Sequence, residues 1–354
     1  MARKPARSKV ESTPPPAPAR RSRRPQGSLQ SALQAYLENV QAARSANTAR
    51  AYRNALAALS EMLLADGHDL AALPAHAAQE DWIADFAATL KPLAPATERL
   101  YLTAASGWYE YLAAEQLAPV NLARVRLLIR HRARRPGVRL PQFPRAAIDK
   151  ILAYARGLAG AAAADPPARL RALRDRAFLL SLADTGLRVH EACGLRRGDL
   201  DWDEGRALLI GKGDRQAVVR FSQRALRALR DYLEARAAAD GESGRPLGSL
   251  PLFARHDRGA GPRVLPLSTT SGRAIVHLRA HEALGAQEAA GITPHSFRHY
   301  FVTVVLRASG GNLKLAQELA RHRSIAVTQR YAHLSDDELD QGYAEVFEGG
   351  GSDR

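Results

Sequence analysis

The chain of 354 residues has a single cysteine, Cys193, and no long apolar run. One thiol excludes an intramolecular disulfide framework and any metal site built from several cysteines. No stretch approaches the roughly 20 apolar residues that a membrane-spanning helix needs. The N-terminus is basic and proline-rich, without the apolar segment of a secretory signal peptide. We therefore expect a cytoplasmic protein that has no membrane partner.

Acidic residues are scarce in two segments, and these two segments account for the net charge of +15. Residues 1–27 hold one acid against eight Lys and Arg, and residues 116–148 hold eight Arg and no acid. A large polyanion is the natural partner of such segments, with nucleic acid ahead of a membrane surface. The alternative is that a basic tail and a basic linker are simply solvated.

The rest of the composition is that of a globular protein, with 46% hydrophobic and 25% charged residues. A chain of this length is expected to form about two domains. The proline-rich N-terminus cannot bury a core and is expected to be disordered. We predict a tail at 1–27, a helical domain at 28–131, a basic linker at 132–145, a second domain at 146–348 and a flexible end at 349–354.

Hydrophobic spacing predicts helices in most of the chain. Ser28 can cap the first helix, and Asn47 precedes a second set of apolar residues at helical spacing. Residues 206–210 and 216–221 are β-rich runs separated by a glycine-containing turn, which predicts a hairpin. Residues 240–275 are rich in Gly, Pro and Ser and are predicted to be a loop region. The predicted fold class is mainly α with a small antiparallel β-sheet.

A helix predicted at 97–112 carries four aromatic residues: Tyr101, Trp108, Tyr109 and Tyr111. We expect them to pack in a core, with stacking on nucleic-acid bases as the alternative. A further helix is predicted at 120–131, where apolar residues alternate with arginine, and prolines then end it. Its arginines and those that follow can lie along a phosphate backbone, and the candidate DNA contacts are Arg124, Arg126, Arg130, Arg132, Arg134, Arg135 and Arg139.

The string TPHSFRHYF at 293–301 predicts the start of a helix with cationic side chains in its first turns. Thr293 is a plausible N-cap and Pro294 takes the first helical position. His295 and Arg298 then share one face, next to the free N–H groups at the positive end of the helix dipole. This combination suits a phosphate. Taken alone it is also common on ordinary protein surfaces.

A second arginine stands in ADTGLRVHEACGL, where Gly186 turns the chain before a helix. Arg188 and Glu191 lie three residues apart on a face that is not needed for the core. An ordinary surface ion pair is one interpretation. The other is that Glu191 orients Arg188 for a bidentate contact with a phosphate.

Only six of the 51 basic residues are lysine, and Lys212 is predicted to lie at the tip of the hairpin, between two glycines. A lysine can donate a proton once its pKa is adjusted, whereas an arginine cannot readily do so. Lys212 is therefore a candidate general acid, with a solvated turn lysine as the alternative.

Tyr331 lies nine residues after His322, in ELARHRSIAVTQRYAHL. A phenol with a pKa of about 10 becomes a nucleophile at neutral pH only where cationic groups stabilise the phenolate. Plain helix packing is the alternative for Tyr331. Tyr300 and Tyr343 are competing tyrosines with no comparable surroundings in the sequence.

The sequence offers little support for a metal site. The acidic string DLDWDEG at 199–205 precedes the hairpin and is expected to end a helix rather than to bind two metal ions. His295 and His299 are spaced as zinc ligands on a helix, but the motif supplies no third ligand. We therefore predict no metal and no cofactor.

Taken in this order, the strings TGLRVHE, GKG, TPHSFRH and TQRYAH resemble the motifs of the tyrosine recombinase (lambda-integrase-like) family, and within it the Xer-type recombinases. The resemblance covers about residues 28–345. It implies a helical, SAM-like core-binding domain followed by a catalytic domain, closing on double-stranded DNA as a C-shaped clamp. The family pattern assigns the catalytic positions to Arg188, Lys212, His295, Arg298, His322 and Tyr331.

The resemblance also implies a reaction without ATP. Tyr331 attacks a DNA phosphate to give a 3′-phosphotyrosine, and Lys212 protonates the 5′-oxygen that leaves. The two arginines stabilise the charge of the transition state, His295 assists proton transfer at the tyrosine, and His322 binds the phosphate. The expected function is site-specific recombination in dimer resolution or in integration and excision of mobile elements. The alternative is a catalytically silent DNA-binding accessory protein of the same fold.

Partners and one departure complete these expectations. The resemblance implies a homotetramer, or a heterotetramer with a second recombinase, on two DNA duplexes. A helix near 336–347 is expected to dock on a neighbouring protomer. Where the family usually has Leu-Gly-His, this chain has Ala320, Arg321 and His322. A glycine permits a close approach of the backbone, so the placement of His322 depends on what Arg321 does.

Overall fold

The computed structural model describes residues 27–134, 145–158, 160, 165–210, 216–261, 263–322, 324–329 and 331. The predicted tail up to residue 26, most of the predicted linker, the hairpin tip with Lys212 and the predicted helix near 336–347 lie outside these residues. The chain divides into two compact units, residues 1–138 and 139–354.

The first unit is helical in the part that the structure describes. Its α-helices are α1 (Leu29–Ala43), α2 (Ala46–Ala65), α3 (Trp82–Thr89), α4 (Pro95–Ala114) and α5 (Leu122–Arg132). Ser28 caps α1 as predicted, with its side chain accepting from the N–H of Ser31. The cap of α2 is Ser45, so Asn47 lies inside the helix and does not begin it.

The core of the first unit contains most of the aromatic residues of α4. Trp108 and Tyr109 are buried, and the Tyr109 hydroxyl donates to the carbonyl of Gln79 at 2.6 Å. Tyr101 is half-buried against the same core. The predicted packing role is confirmed for these residues. Tyr111 is half-buried beside Tyr36, with ring centroids 5.6 Å apart.

In its described residues the second unit is also mainly helical, with one small sheet. Its helices are α6 (Arg145–Gly157), α7 (Pro166–Thr185), α8 (Val189–Gly194), α9 (Gln223–Ala235), α10 (Ala237–Glu242), α11 (Thr269–Leu284), α12 (Ala286–Ala289), α13 (Pro294–Ala308), α14 (Leu313–Ala320) and α15 (Ile325–Gln329). Most residues of α7 are buried, including Phe178, whose ring meets Phe253 edge-on at 5.1 Å. Helix α7 is therefore the central helix of this unit.

The sheet has three antiparallel strands in the order β1 (Leu200–Asp201), β2 (Arg206–Ile210) and β3 (Gln216–Arg220). The predicted hairpin strands are confirmed as β2 and β3, and Ala207 faces Val219 across them. The expectation that 199–205 ends a helix is only partly right, because a 3-10 turn (Arg197–Asp199) ends at Asp199, and Leu200 and Asp201 then pair with β2. The Asp201 carboxylate accepts from two following N–H groups, both at 3.0 Å, and this turns the chain into β2.

The predicted loop at 240–275 is also too long. Helix α11 already begins at Thr269, and the Ser268 side chain caps it by accepting from the N–H of Ser271 at 3.0 Å. A serine of this kind is a helix-start signal as much as a loop residue, and the apolar residues behind it decide between the two. Within the described residues, none of the helices has the length and apolarity that crossing a membrane requires.

Two charged side chains of the second unit, those of Arg236 and Asp240, are fully buried. Arg236 and Asp240 are each 1% exposed, and Arg236 Nε donates to Asp240 Oδ1 at 2.8 Å. Arg197 donates to the other carboxylate oxygen, and Arg236 also donates to the carbonyl of Pro251 at 2.8 Å. The buried guanidinium is thus neutralised by a single carboxylate.

Asp240→Ala is expected to lower the free energy of unfolding by about 3–5 kcal/mol, because it leaves the Arg236 charge buried without a counter-charge. Urea unfolding of the full chain measures the change. The matched control is Glu318→Ala, which removes an exposed ion pair with Lys314 and is expected to change stability by less than about 0.5 kcal/mol. Equal effects of the two substitutions would contradict this account of Asp240.

Candidate active site

Arg188 is positioned by the turn that ends helix α7. Gly186 has a φ of 60°, and a Cβ at this glycine would lie 2.5 Å from Phe301 Cδ1. Both the backbone conformation and the lack of space therefore require glycine here. The chain then starts α8, with Arg188 as its N-cap residue and 45% of the Arg188 side chain exposed.

Glu191 joins three donors at the start of α8. Its Oε1 accepts from Arg188 Nη1 at 2.9 Å, and its Oε2 accepts from the Arg188 N–H at 2.8 Å. Oε2 also accepts from Arg321 Nη2 at 2.8 Å. Burial opposes ionisation, but the two guanidinium groups outweigh it and hold the pKa of Glu191 below its usual value. The sequence predicted the contact with Arg188 and missed the one with Arg321.

Arg298 is buried at the first turns of α13, where it is 2% exposed. Thr293 is the N-cap and Pro294 the first helical residue, as predicted. Arg298 Nη1 donates to the carbonyl of Gly186 at 2.5 Å, and Nη2 donates to the carbonyl of Ala320. One guanidinium therefore ties together the chain segments that lead to Arg188 and to His322. Burial, with Arg188 and Arg321 nearby, lowers the pKa of Arg298 to about 10.

His322 follows α14 through an unusual residue. Arg321 has φ 57° and ψ 43°, the left-handed conformation that glycine normally takes at a helix end and that costs other residues about 1–2 kcal/mol. The chain thus keeps the path that a glycine would give it. The N–H of His322 donates to the carbonyl of Gln317 at 3.0 Å, and His322 Nδ1 lies 2.8 Å from Thr328 Oγ1.

The surroundings of both candidate histidines favour the neutral imidazole. Burial, followed by the charges of Arg298 and Arg188, lowers the pKa of His295. The same causes, in the same order, lower the pKa of His322 to about 4. A neutral imidazole can accept a proton on one nitrogen and donate from the other.

Tyr331 lies against two histidine rings. Its ring centroid is 4.9 Å from that of His299 and 6.2 Å from that of His322, and the His322 ring is nearly parallel to it. His299 in turn meets His295 at 4.2 Å. The sequence suggested His299 only as one half of a zinc pair. Its spacing of four residues from His295 indicated that the two histidines share one face of α13. Tyr331 packs against His299 on that face.

A cavity of about 170 Å³ lies where these segments meet. Five of the predicted catalytic residues line it together with His299 and Val327, and the five are Arg188, His295, Arg298, His322 and Tyr331. They come from segments up to 143 residues apart in sequence. The arrangement offers cationic and neutral hydrogen-bond donors around a phenol, which suits a phosphate and an attacking oxygen. The sixth residue, Lys212, lies outside the described residues, between β2 and β3.

The predicted DNA contacts in the first unit differ in how they are paired. Arg124 donates to Asp81 at 2.6 and 2.8 Å, and Arg126 donates to Glu110 at 3.0 Å. Arg134 Nε donates at 2.5 Å to Glu98, a carboxylate that is 1% exposed. Arg130 and Arg132 are exposed on α5, and Arg135 and Arg139 lie outside the described residues.

Among the described residues, no three His, Cys, Asp or Glu side chains are grouped as metal ligands.

Comparison with known proteins places this geometry in a family. A family model described as the phage integrase family matches residues 158–338. Tyrosine recombinase XerD of Mycobacterium leprae (strain TN) is 32% identical over 310 residues, which cover 86% of this chain and 92% of the relative. Tyrosine recombinase XerC of Xanthomonas axonopodis pv. citri (strain 306) is 33% identical over 307 residues, covering 84% and 90%.

A solved structure has the same fold. The XerH site-specific recombinase bound to palindromic difH substrate, in a post-cleavage complex, matches with a TM-score of 0.64 at 20% sequence identity. The match covers 89% of this chain and 84% of that one. Identity above 30% over nearly the full length of the curated relatives, together with the family match, shows that the chain belongs to the phage integrase family as a tyrosine recombinase of the Xer type.

Proposed function

We propose that the protein is a site-specific DNA recombinase that breaks and rejoins strands through a covalent bond between Tyr331 and a DNA 3′-phosphate. One observation carries the proposal: a tyrosine, two arginines and three histidines line a cavity large enough for a phosphate group. Membership of the family supports the same reaction class.

The cleavage step follows from the groups around the cavity. The Tyr331 oxygen attacks phosphorus, the bond from phosphorus to the 5′-oxygen breaks, and its electron pair stays on that oxygen. Lys212 is the proposed donor of the proton that this oxygen takes up. Arg298 and Arg188 hold the non-bridging oxygens, and their charge stabilises both the phenolate and the transition state. The proton of the tyrosine passes to His295, whose surroundings favour the neutral form that can accept it.

His322 contributes a hydrogen bond to the phosphate. When its Nδ1 accepts from the Thr328 hydroxyl, Nε2 carries the ring proton and can donate it to a phosphate oxygen. The phosphotyrosine conserves the energy of the broken phosphodiester bond. Rejoining by the 5′-hydroxyl therefore needs no nucleotide and no cofactor.

The partner that we propose is double-stranded DNA with a specific recombination site. The curated relatives are named tyrosine recombinases, and the XerH neighbour is described with its difH substrate. In the cytoplasm the chain would act as a homotetramer or as a heterotetramer with a second recombinase. Residues 28–131 are the proposed core-binding domain, 132–145 the linker and 146–348 the catalytic domain. The biological role that we propose for the protein is dimer resolution or the integration and excision of mobile elements.

The accessory-protein alternative gains no support from the site. Arg321 does not displace His322, because it takes the left-handed backbone conformation that glycine normally has at a helix end. His322 still lines the cavity beside Tyr331.

A covalent-trapping assay tests the proposal. DNA bound by the protein is recovered from cells and its site is mapped. A duplex is then prepared with a nick just 3′ of the scissile phosphate, so that the short fragment with the released 5′-hydroxyl diffuses away. We expect the wild-type protein to give an SDS-stable, protease-sensitive adduct with this duplex. Binding to the mapped site without any adduct would contradict the proposed recombinase activity and favour a catalytically silent accessory protein.

A further inference from the structure

Arg321 is an unexpected residue at the edge of the site. Of the residues that the structure describes, only Gln116 and Arg321 are non-glycine residues with positive φ. Glycine would adopt this backbone conformation without strain. The chain therefore accepts backbone strain here to keep a long cationic side chain.

The side chain is held inside the protein. It is 11% exposed, and Nη2 forms the contact of 2.8 Å with Glu191. The other terminal nitrogen, Nη1, is buried and has no hydrogen-bond partner among the residues that the structure describes. Burial lowers the pKa of Arg321 from its usual value, although Glu191 opposes this. Backbone strain, desolvation and the missing hydrogen bond all lower the stability of the fold. Packing alone therefore does not explain why arginine stands at this position.

Its contact leads directly to the candidate catalytic arginine. Glu191 Oε2 is held from two sides, by the N–H of Arg188 and by Arg321. Its Oε1 is thereby fixed as the acceptor for Arg188 Nη1. Arg188 lines the cavity, whereas Arg321 is not among its lining residues. The hydrogen bonds that connect Arg321 to the cavity therefore run through Glu191 and Arg188.

Charge sharing adds to this effect. The Glu191 carboxylate pairs with two guanidinium groups, those of Arg188 and Arg321. Because Arg321 neutralises part of the carboxylate charge, less of that charge is available to neutralise Arg188. Arg188 then keeps more of its positive charge for a phosphate than it would in a simple ion pair.

We propose that Arg321 is a positioning residue for the reaction, holding Glu191 so that Arg188 is fixed and only partly neutralised at the phosphate. This inference rests on the proposed recombinase function. A glycine at position 321 keeps the fold of the chain but cannot perform this role.

The main test is Arg321→Gly in the full-length protein. Glycine fits the left-handed conformation, so we expect a melting temperature that is not lower than that of the wild type. We expect unchanged affinity for the mapped site and a single-turnover cleavage rate lowered by about ten- to a hundredfold. Arg321→Lys should restore part of the rate, because it keeps the charge near Glu191. A Gly variant that cleaves at the wild-type rate would overturn the proposal.

A double-mutant cycle tests the route through Glu191. Glu191→Gln should lower the cleavage rate at least as far as Arg321→Gly, and the double variant should lose little more than Glu191→Gln alone. Losses that multiply would show that Arg321 acts by another route and would overturn the proposal. The matched control is Gln116→Gly, which relieves the same backbone conformation in the first unit without removing an ion pair. We expect it to leave the rate unchanged.

A readout without cleavage separates this inference from the proposed function. Relaxation of the Arg188 Nε–H group, measured by NMR on the protein without DNA, reports how firmly Arg188 is held. We expect its order parameter to fall in Arg321→Gly and to stay at the wild-type value in Gln116→Gly. An unchanged order parameter in Arg321→Gly would overturn the positioning role, whether or not the wild-type protein cleaves DNA.

Discussion

Replacing Tyr331 by phenylalanine is expected to abolish the SDS-stable adduct completely while leaving the affinity for DNA unchanged. The substitution removes the phenol oxygen, which is the proposed nucleophile, and no other group of the site can form a stable ester with the 3′-phosphate. The phenylalanine ring keeps the packing of Tyr331 against His299 and His322. The fold and the DNA-binding surface should therefore survive. Covalent trapping and a gel-shift titration on the same nicked duplex measure the two effects.

Tyr300→Phe is the matched control for this prediction. Tyr300 stands on the same helix as Arg298, but its hydroxyl donates to Asp149 at 2.8 Å, on α6. Tyr300→Phe should form the adduct and lose only some stability. If Tyr331→Phe still formed the adduct, the nucleophile would be another tyrosine and the proposed chemistry of the cavity would be wrong.

Arg298→Ala is expected to lower the cleavage rate by at least about 10²–10³-fold, because one of the two groups that stabilise the phosphate charge is lost. The same substitution removes the donors to the carbonyls of Gly186 and Ala320. The segments that carry Arg188 and His322 then lose their common anchor, so stability should fall as well. Single-turnover cleavage and urea unfolding, measured on the same preparation, separate the two losses.

Arg298→Lys helps to distinguish charge from geometry. Lysine keeps the positive charge but cannot reach both carbonyls with a planar fork, so we expect a rate between those of the wild type and Arg298→Ala. Arg307→Ala, which removes the same charge from an exposed position on α13, is the control and should leave the rate unchanged. A wild-type cleavage rate in Arg298→Ala would contradict the proposed role of the buried guanidinium.

Local signals predicted much of the second unit. Thr293 and Pro294 mark the start of α13 by capping and by a fixed φ, and such rules act within a few residues. The same holds for Gly186 and for the strands of the hairpin. The resemblance to a family pattern, and no local signal, assigned residues from distant segments to one site. Five of them line the same cavity: Arg188, His295, Arg298, His322 and Tyr331.

Contacts between distant residues were beyond the reach of these signals. Glu191 and Arg321 are 130 residues apart, and nothing local to either residue indicates that they meet. Arg321 also adopts a conformation for which propensity favours glycine, so the sequence alone left the placement of His322 open. The packing of His299 on Tyr331 depends on the same tertiary arrangement. The role of Lys212 stays a prediction.

The most direct test of the central claim identifies which of the ten tyrosines carries the DNA. The adduct is digested with nuclease and trypsin, and the modified peptide is sequenced by mass spectrometry. Trypsin cuts after Arg330, so the peptide 331–354 holds both Tyr331 and Tyr343, and fragmentation must distinguish them. The account predicts a nucleotide that is attached to the Tyr331 oxygen through its 3′-phosphate. A modification on Tyr343 or Tyr300 would contradict it.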